Sequence, residues 1–171
     1  MNLRFVPVVT PRACTALWKP SRAKRHLAVW ICRAIRAGLA IAVMEVLALI
    51  GHQPLARLPF VTSIVLTMGM PDSEPAQPYP VIAGHLVCST AGFAVLWTLG
   101  PAEVSSAVAF GLAALLMLGC RAMHPPAGID AFLFAGLGLP TNWIVNPVVI
   151  GVVLLAAYSR VWVLGEHRLS R

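Results

Sequence analysis

The chain has 171 residues, 58% of them hydrophobic and 11% charged. That leaves too few charges to solvate a water-soluble globule of this size, so the composition excludes an ordinary soluble domain and predicts a membrane protein. The net charge of +7 does not indicate nucleic acid either, because the basic residues gather at the two ends of the chain and no basic and aromatic surface module lies between them.

In chain order, residues 1–25 read as a basic cytoplasmic tail carrying Arg4, Arg12, Lys19, Arg22, Lys24 and Arg25. Its apolar run from Phe5 to Thr10 is short and broken by Pro7, which is unlike a cleaved signal. An acid-free, Arg-rich leader also fits an organelle transit peptide, but the tail is the preferred reading. Residues 26–50 form the first apolar span, long enough for a hydrocarbon core that needs about 20 helical residues. Within it Glu45 stands amid "AIAVMEVLALI", where a bare charge costs ~3 kcal/mol on insertion scales. It is therefore expected to face the protein interior or a neighbouring subunit, balanced by Arg33, Arg36 or Arg121, with proton transfer as the sharper alternative.

Residues 58–70, led by Pro59 and followed by Pro71, are apolar but short. At ~1.5 Å per residue they reach about 20 Å against a core of ~30 Å, so they read as a half-helix. The second span, 81–99, carries His85, Cys88 and Ser89 on one face, expected to hydrogen-bond a neighbouring helix or to line a pore. Gly84, Ala91 and Gly92, with Gly111 and Ala114 of the third span, suit close helix packing in lipid. The third span, 103–120, ends at Arg121, which either snorkels to the interface or acts electrostatically. A second half-helix, 125–139, is again led by proline, the fourth span covers 143–164, and residues 165–171 form a C-terminal tail.

The expected fold is thus all-α: one polytopic membrane helix bundle over 26–164, with four transmembrane helices and two proline-started half-helices. Laying Pro59 on Pro126 also aligns Leu66 with Leu133, Gly69 with Gly136, Pro80 with Pro147, Val81 with Val148 and Gly84 with Gly151. Prolines and glycines fix backbone geometry, and they supply most of these identities, which favours an internal duplication into halves of about 30–99 and 100–164. The same register puts Arg57 over His124 and Ser63 over Asp130. Re-entrant half-helices give four crossings and parallel halves; fully crossing ones give six and inverted halves. Either way both termini share a side, and the basic ends make that side cytoplasmic; four crossings are preferred.

The stretch "RAMHPPAGIDAF" concentrates polar residues inside this apolar chain. Pro125 and Pro126 mark a helix start, because proline lacks an N–H that a first helical turn would leave unbonded anyway. The N–H groups from Ala127 to Ile129, with Gly128 allowing close approach, would then point outward at the positive end of the helix dipole. Pro59 begins a matching segment whose free N–H groups include those of Phe60 and Val61. Paired interrupted segments in two halves point to a transporter's binding site, and a helix N-terminus suits an anion. The expected substrate site is therefore His124, Pro125, Pro126, Ala127, Gly128, Arg121, Asp130, Pro59, Phe60, Ser63 and His85, cradling a small inorganic anion. The plainer alternative is a tight turn whose histidine caps a carbonyl.

"HPPAG" at 124–128, "PDSEPAQP" at 71–78 and "VIAGH" at 81–85 together resemble the HPP family of small integral membrane proteins over roughly residues 30–165. The resemblance implies four transmembrane helices and a transport role, with nitrite as the substrate associated with some relatives. Two positions depart from the family pattern. Asp130 stands where a small or neutral polar residue is usual, and its carboxylate would repel an anion. It is expected to pair with Arg121, or to be held protonated by burial, which would suit proton-coupled transport. Tyr79 stands where a basic residue is usual, which weakens the case for nitrite.

Other readings compete. His85, Cys88, Cys120 and His124 have the ligand types of a tetrahedral metal site, although Pro125 interrupts the second pair; haem between the two histidines is a further variant. No cofactor is expected. Cys14, Cys32, Cys88 and Cys120 lack a paired spacing, so no disulfide framework is expected. No nucleophile and base stand at a recognised spacing, so an enzyme is not expected. A membrane protein this small is expected to form a homo-oligomer in the lipid bilayer, here a bacterial inner membrane. Transport predicts that His124, Asp130, His85 and Ser63 line a wet cavity, whereas a non-transporting structural or cofactor-binding subunit predicts that they pair off and seal the centre.

Overall fold

The computed structural model describes residues 20–52 and 58–169; residues 1–19, 53–57, among them Arg57, and 170–171 fall outside them. Six α-helices account for most of the described chain: α1 (Pro20–Ile50), α2 (Leu58–Gly69), α3 (Pro78–Leu99), α4 (Glu103–Gly119), α5 (Gly128–Leu137) and α6 (Ile150–Leu169). Short 3₁₀ turns at Glu74–Ala76 and Pro125–Ala127 precede α3 and α5, and a wider π-helical segment, Ile144–Val149, leads into α6. Helix α1 begins at Pro20, within the stretch read as tail. Among the described residues there is no strand.

Three stretches, Leu27–Ile50, Pro78–Leu99 and Ile144–Glu166, are long and apolar enough to cross a membrane. The expected third span is α4, whose 17 residues reach about 26 Å, so three helices rather than four meet that standard. The two expected half-helices are present as Leu58–Gly69 and Pro125–Leu137.

Local chemistry sets the helix ends. Prolines 78 and 80 occupy the first turn of α3, where a missing N–H costs nothing. Helix α4 closes with a Schellman arrangement: Ala122 N–H bonds Met117 O at 2.9 Å and Arg121 N–H bonds Leu118 O at 3.2 Å. Arg121 sits at the left-handed position of that motif with φ of 53°, where glycine is usual. Helix α5 stops at Gly138, with φ of 66° and its N–H on Phe134 O.

The core is built by exchange. One apolar cluster joins Phe60, Ile64 and Met68 of α2 and Ala40 and Met44 of α1 to Val152 and Leu155 of α6, with Val81 at the start of α3 completing it. Another joins Ala127, Ala131 and Ala135 of the second short segment and Ala109 and Ala113 of α4 to Cys88, Ala91 and Val95 of α3. In the register of the proposed duplication, 60, 64 and 68 correspond to 127, 131 and 135, and Cys88 corresponds to Leu155. Each half therefore packs its first two helices against the third helix of the other half. The glycines repeat the pattern: Gly84 abuts Ala127, and its counterpart Gly151 abuts Phe60, the counterpart of Ala127.

At one end of the bundle Glu166 accepts from both Arg33 and Arg36, each at 2.9 Å. Arg36 also lies over the Trp162 ring at 4.6 Å, and Arg33 donates to Gly69 O at the end of α2. Arg33 and Arg36, expected to balance Glu45, are instead committed to Glu166, and Glu45 is half-buried further along α1. The outer face of α1, including Trp30, Ile35, Leu39 and Val43, is exposed and apolar, as a surface solvated by lipid tails must be.

A methyl group on Gly92 would lie 2.7 Å from Ala131 Cα and 2.8 Å from its carbonyl oxygen, backbone atoms that cannot turn aside. Gly92→Ala is expected to cost about 1–3 kcal/mol by overpacking. Gly111→Ala, which meets nothing within 4 Å, is expected to be neutral or to stabilise α4 by up to ~1 kcal/mol. Thermal unfolding of both variants in one detergent checks the contrast; equal behaviour would refute the close α3–α5 approach.

Candidate functional site

Four fully buried polar side chains meet where the two short segments touch α3. Ser63 comes from α2, His85 from α3, His124 from the position before the Pro125–Ala127 turn, and Asp130 from α5. Ser63 Oγ lies 2.9 Å from His85 Nε2 and 2.9 Å from His124 Nε2. His85 Nδ1 lies 2.7 Å from Asp130 Oδ2, and His124 Nδ1 lies 2.7 Å from Pro75 O. Ser89, one turn beyond His85, donates to the same Asp130 oxygen at 3.2 Å. Ser63 and Asp130, counterparts in the duplicated register, flank one histidine from its two sides.

Counting donors assigns the protons. A carbonyl only accepts, so His124 Nδ1 carries a hydrogen and donates it to Pro75 O. Ser63 Oγ also lies 3.2 Å from Pro59 O, one turn back in α2; with His124 neutral, its bare Nε2 is the nearer acceptor at 2.9 Å and takes the hydroxyl proton. Ser63 has no second proton to give, so His85 Nε2 must donate to Ser63 Oγ. The His85–Asp130 contact then holds one proton between nitrogen and oxygen, as imidazolium with carboxylate or as imidazole with carboxylic acid. Either form is neutral overall, as burial demands.

Neighbouring groups hold this chain in place. The loop of residues 71–77 is braced by Ser73 Oγ on Met70 O at 2.7 Å and Gln77 Nε2 on Pro71 O at 3.0 Å, which aims the Pro75 carbonyl at His124. Tyr79 donates to Cys120 O at 3.0 Å and so ties α3 to the loop that carries His124.

The other expected site residues are distributed differently. Ala127 N–H is bonded to His124 O at 2.9 Å, and Gly128 N–H turns back to Pro125 O. The 3₁₀ turn therefore occupies two of the backbone donors expected to face outward. Pro125 is exposed, Pro126 half-buried and Pro59 buried at the start of α2. Arg121 is exposed, and the buried partner of Asp130 is His85 rather than the expected Arg121, because α3 and not the end of α4 faces α5 at that level. Cys120 is exposed while Cys88 is buried, and among the described residues no group of three or more His, Cys, Asp or Glu is placed to hold a metal ion. Phe60 is buried with its ring 5.5 Å from that of His85. It also lines a cavity of about 260 Å³ with Met44, Ala48, Asn146, Pro147 and Gly151. The tight-turn alternative has a counterpart here, since His124 does cap a carbonyl. Pro75 was not singled out from the sequence, although the proline-rich loop around it signals a carbonyl held in a fixed direction.

A family model described as "HPP, transmembrane region" matches residues 22–168. Two transmembrane proteins of Dictyostelium discoideum are similar to the chain. DDB_G0269096 is 31% identical over 105 residues, 56% of this chain and 36% of the relative. DDB_G0273707/DDB_G0273361 is 37% identical over 78 residues, 43% of this chain and 25% of the relative. The matched stretches thus span only about a third and a quarter of these longer proteins. No solved structure matches.

Replacing His85 by alanine strips a buried carboxyl of its closest partner, and such removals cost about 3–5 kcal/mol. Asp130→Ala is expected to be destabilising too, and the double variant to be less destabilised than the two singles added together. A double-mutant cycle by denaturant or thermal unfolding in detergent checks this; strict additivity would show that the pair does not interact. Arg121→Gly is expected to stabilise the chain by about 1 kcal/mol, by relieving a left-handed backbone position; a loss of stability in the same assay would mean that its side chain is needed structurally.

Proposed function

Because this chain belongs to the HPP transmembrane family, we propose that it carries a small inorganic anion, with nitrite as one candidate, through the centre where its two short segments meet. One observation above all supports this: a short proline-led helix from each half delivers a polar side chain, Ser63 or Asp130, to the same buried histidine. Interrupted segments paired across two halves are the arrangement by which many transporters build a substrate site away from water. The arrangement described is a closed one. Phe60 stands between His85 and the cavity beside Gly151, so displacing its ring would join the two spaces. The Ser63 hydroxyl, released from His124 Nε2, then supplies a donor in place of those that the 3₁₀ turn withholds. A homo-oligomer in a bacterial inner membrane, with both termini cytoplasmic, is part of the same proposal.

A second reading has an observation of its own. All four polar side chains have no exposure and bond one another, as expected of a lock that specifies how the halves assemble in a non-transporting subunit.

Flux into liposomes separates the readings. Nitrite, nitrate, formate and chloride are to be supplied in turn to wild type, His124→Ala and Phe60→Ala, each checked for assembly, with protein-free vesicles as baseline. Transport predicts flux above baseline for at least one anion, a loss of about tenfold or more in His124→Ala, equivalent to ~1.4 kcal/mol, and faster leakage in Phe60→Ala. Baseline flux for every anion, with stability lowered in His124→Ala, would leave the assembly lock as the function of the site.

A further inference from the structure

We propose that His124, Ser63, His85 and Asp130 form a proton relay that lets one proton accompany each transported anion, an inference that rests on the transport reading for its purpose but not for its chemistry. The starting point is the charge the site already contains. Asp130 is fully buried, and its Oδ1 has no hydrogen-bond partner among the described residues. A second negative charge brought beside it would meet repulsion in a low-dielectric interior, where the cost of an uncompensated ion runs to several kcal/mol. A proton arriving with the anion removes that cost.

The geometry supplies a route. In the resting arrangement His124 is neutral with its hydrogen on Nδ1, Ser63 donates to His124 Nε2, and His85 Nε2 donates to Ser63 Oγ. When His85 is the imidazolium, a shift along the two 2.9 Å contacts moves its charge without moving a heavy atom. The His85 Nε2–H bond breaks as a new Ser63 O–H bond forms. The original Ser63 O–H bond breaks as His124 Nε2–H forms. The products are a His124 imidazolium, an intact serine hydroxyl now donating to a neutral His85, and an unchanged Asp130 carboxylate. Protons balance: the two hydrogen bonds at Ser63 survive with their direction reversed, while His124 Nδ1–H still donates to Pro75 O and His85 Nδ1–H to Asp130. The positive charge arrives at His124, next to the 3₁₀ turn, where an anion would be drawn.

The surroundings suit this use. Thr67 of α2 is committed to Ser63 O at 2.8 Å, so its hydroxyl does not interrupt the path. From α3, Cys88 is buried close by and Ser89 steadies the carboxylate. On α6, Tyr158 bonds Arg36 O and Glu166 bonds Arg33 and Arg36, away from the relay. Glu103 of α4 is exposed. The loop that offers Pro75 to His124 carries exposed Asp72 and Glu74, carboxylates suited to collecting protons at the His124 end.

The test uses the 171-residue chain reconstituted in liposomes with a trapped pH dye, and the same protein with isotope-labelled histidine for nitrogen NMR. Nitrite uptake by wild type is expected to acidify the interior by one proton per anion above the protein-free rate. Ser63→Ala is expected to lose that acidification and Ser63→Thr to keep it. In the spectra, His124 is expected in the neutral Nδ1–H form, and its titration is expected to shift the His85 signals in wild type and Ser63→Thr but not in Ser63→Ala. Single histidine variants assign the signals. Anion flux without protons would overturn the coupling while leaving transport intact. An Nε2–H tautomer at His124, or histidines titrating independently in wild type, would overturn the relay even if no anion moves. No flux of any anion, with the histidines still linked through Ser63, would sink the transport reading and its coupling and leave the relay standing as chemistry.

Discussion

A polar group buried in a helix bundle surrounded by lipid has no water to fall back on, so each donor must find an acceptor within the protein. That constraint organises the centre of this chain. Ser63 belongs to the first half, Asp130 to the second, and His85 lies between them on a helix packed against both. The chain ends at a backbone carbonyl that can only accept, which sets the direction of the first hydrogen bond and, through the single proton of Ser63, of the next two. The contacts that fix the direction of these hydrogen bonds are therefore also contacts that join the two halves.

The two halves correspond in element order but not in bulk. At matching places one short segment presents Phe60, Ile64 and Met68, the other Ala127, Ala131 and Ala135. Small residues on α5 and Gly92 on α3 let those backbones come close, which brings the Asp130 carboxyl within 2.7 Å of His85. On the other side the large ring of Phe60 meets Gly151, and the cavity beside Phe60 lies there. The polar chain thus lies on the side whose short segment carries alanine, and the cavity on the side that carries Phe60.

Much of the architecture was legible in the sequence. Length and apolarity located the helices, and the prolines at 59, 71, 125 and 140 bounded the two short ones to within a few residues. The prolines and glycines that recur 67 positions apart fall on elements of the same order in the two halves, because backbone geometry depends on them more than on any exchangeable apolar side chain. His85, His124, Ser63 and Asp130 were each recognisable as polar residues misplaced in an apolar setting. Their partners were not. Which helix faces Asp130 is decided by the tertiary crossing of α3 and α5, so the nearer residue in sequence, Arg121, was the natural expectation, while the actual partner lies 45 positions away. The 3₁₀ turn at Pro125 was hidden for a similar reason: proline announces a helical start, but not whether the first turn winds tightly enough to use its own N–H groups.

The exchanged third helices bear on how such a molecule is made. While the first half is being synthesised, α3 exists before α4 and α5, so His85 must wait without its carboxyl partner and the small-residue face of α3 must wait without the helix that covers it. In the finished bundle each half covers the third helix of the other, so the imidazole of His85 meets its carboxyl only when residues from both halves are in place.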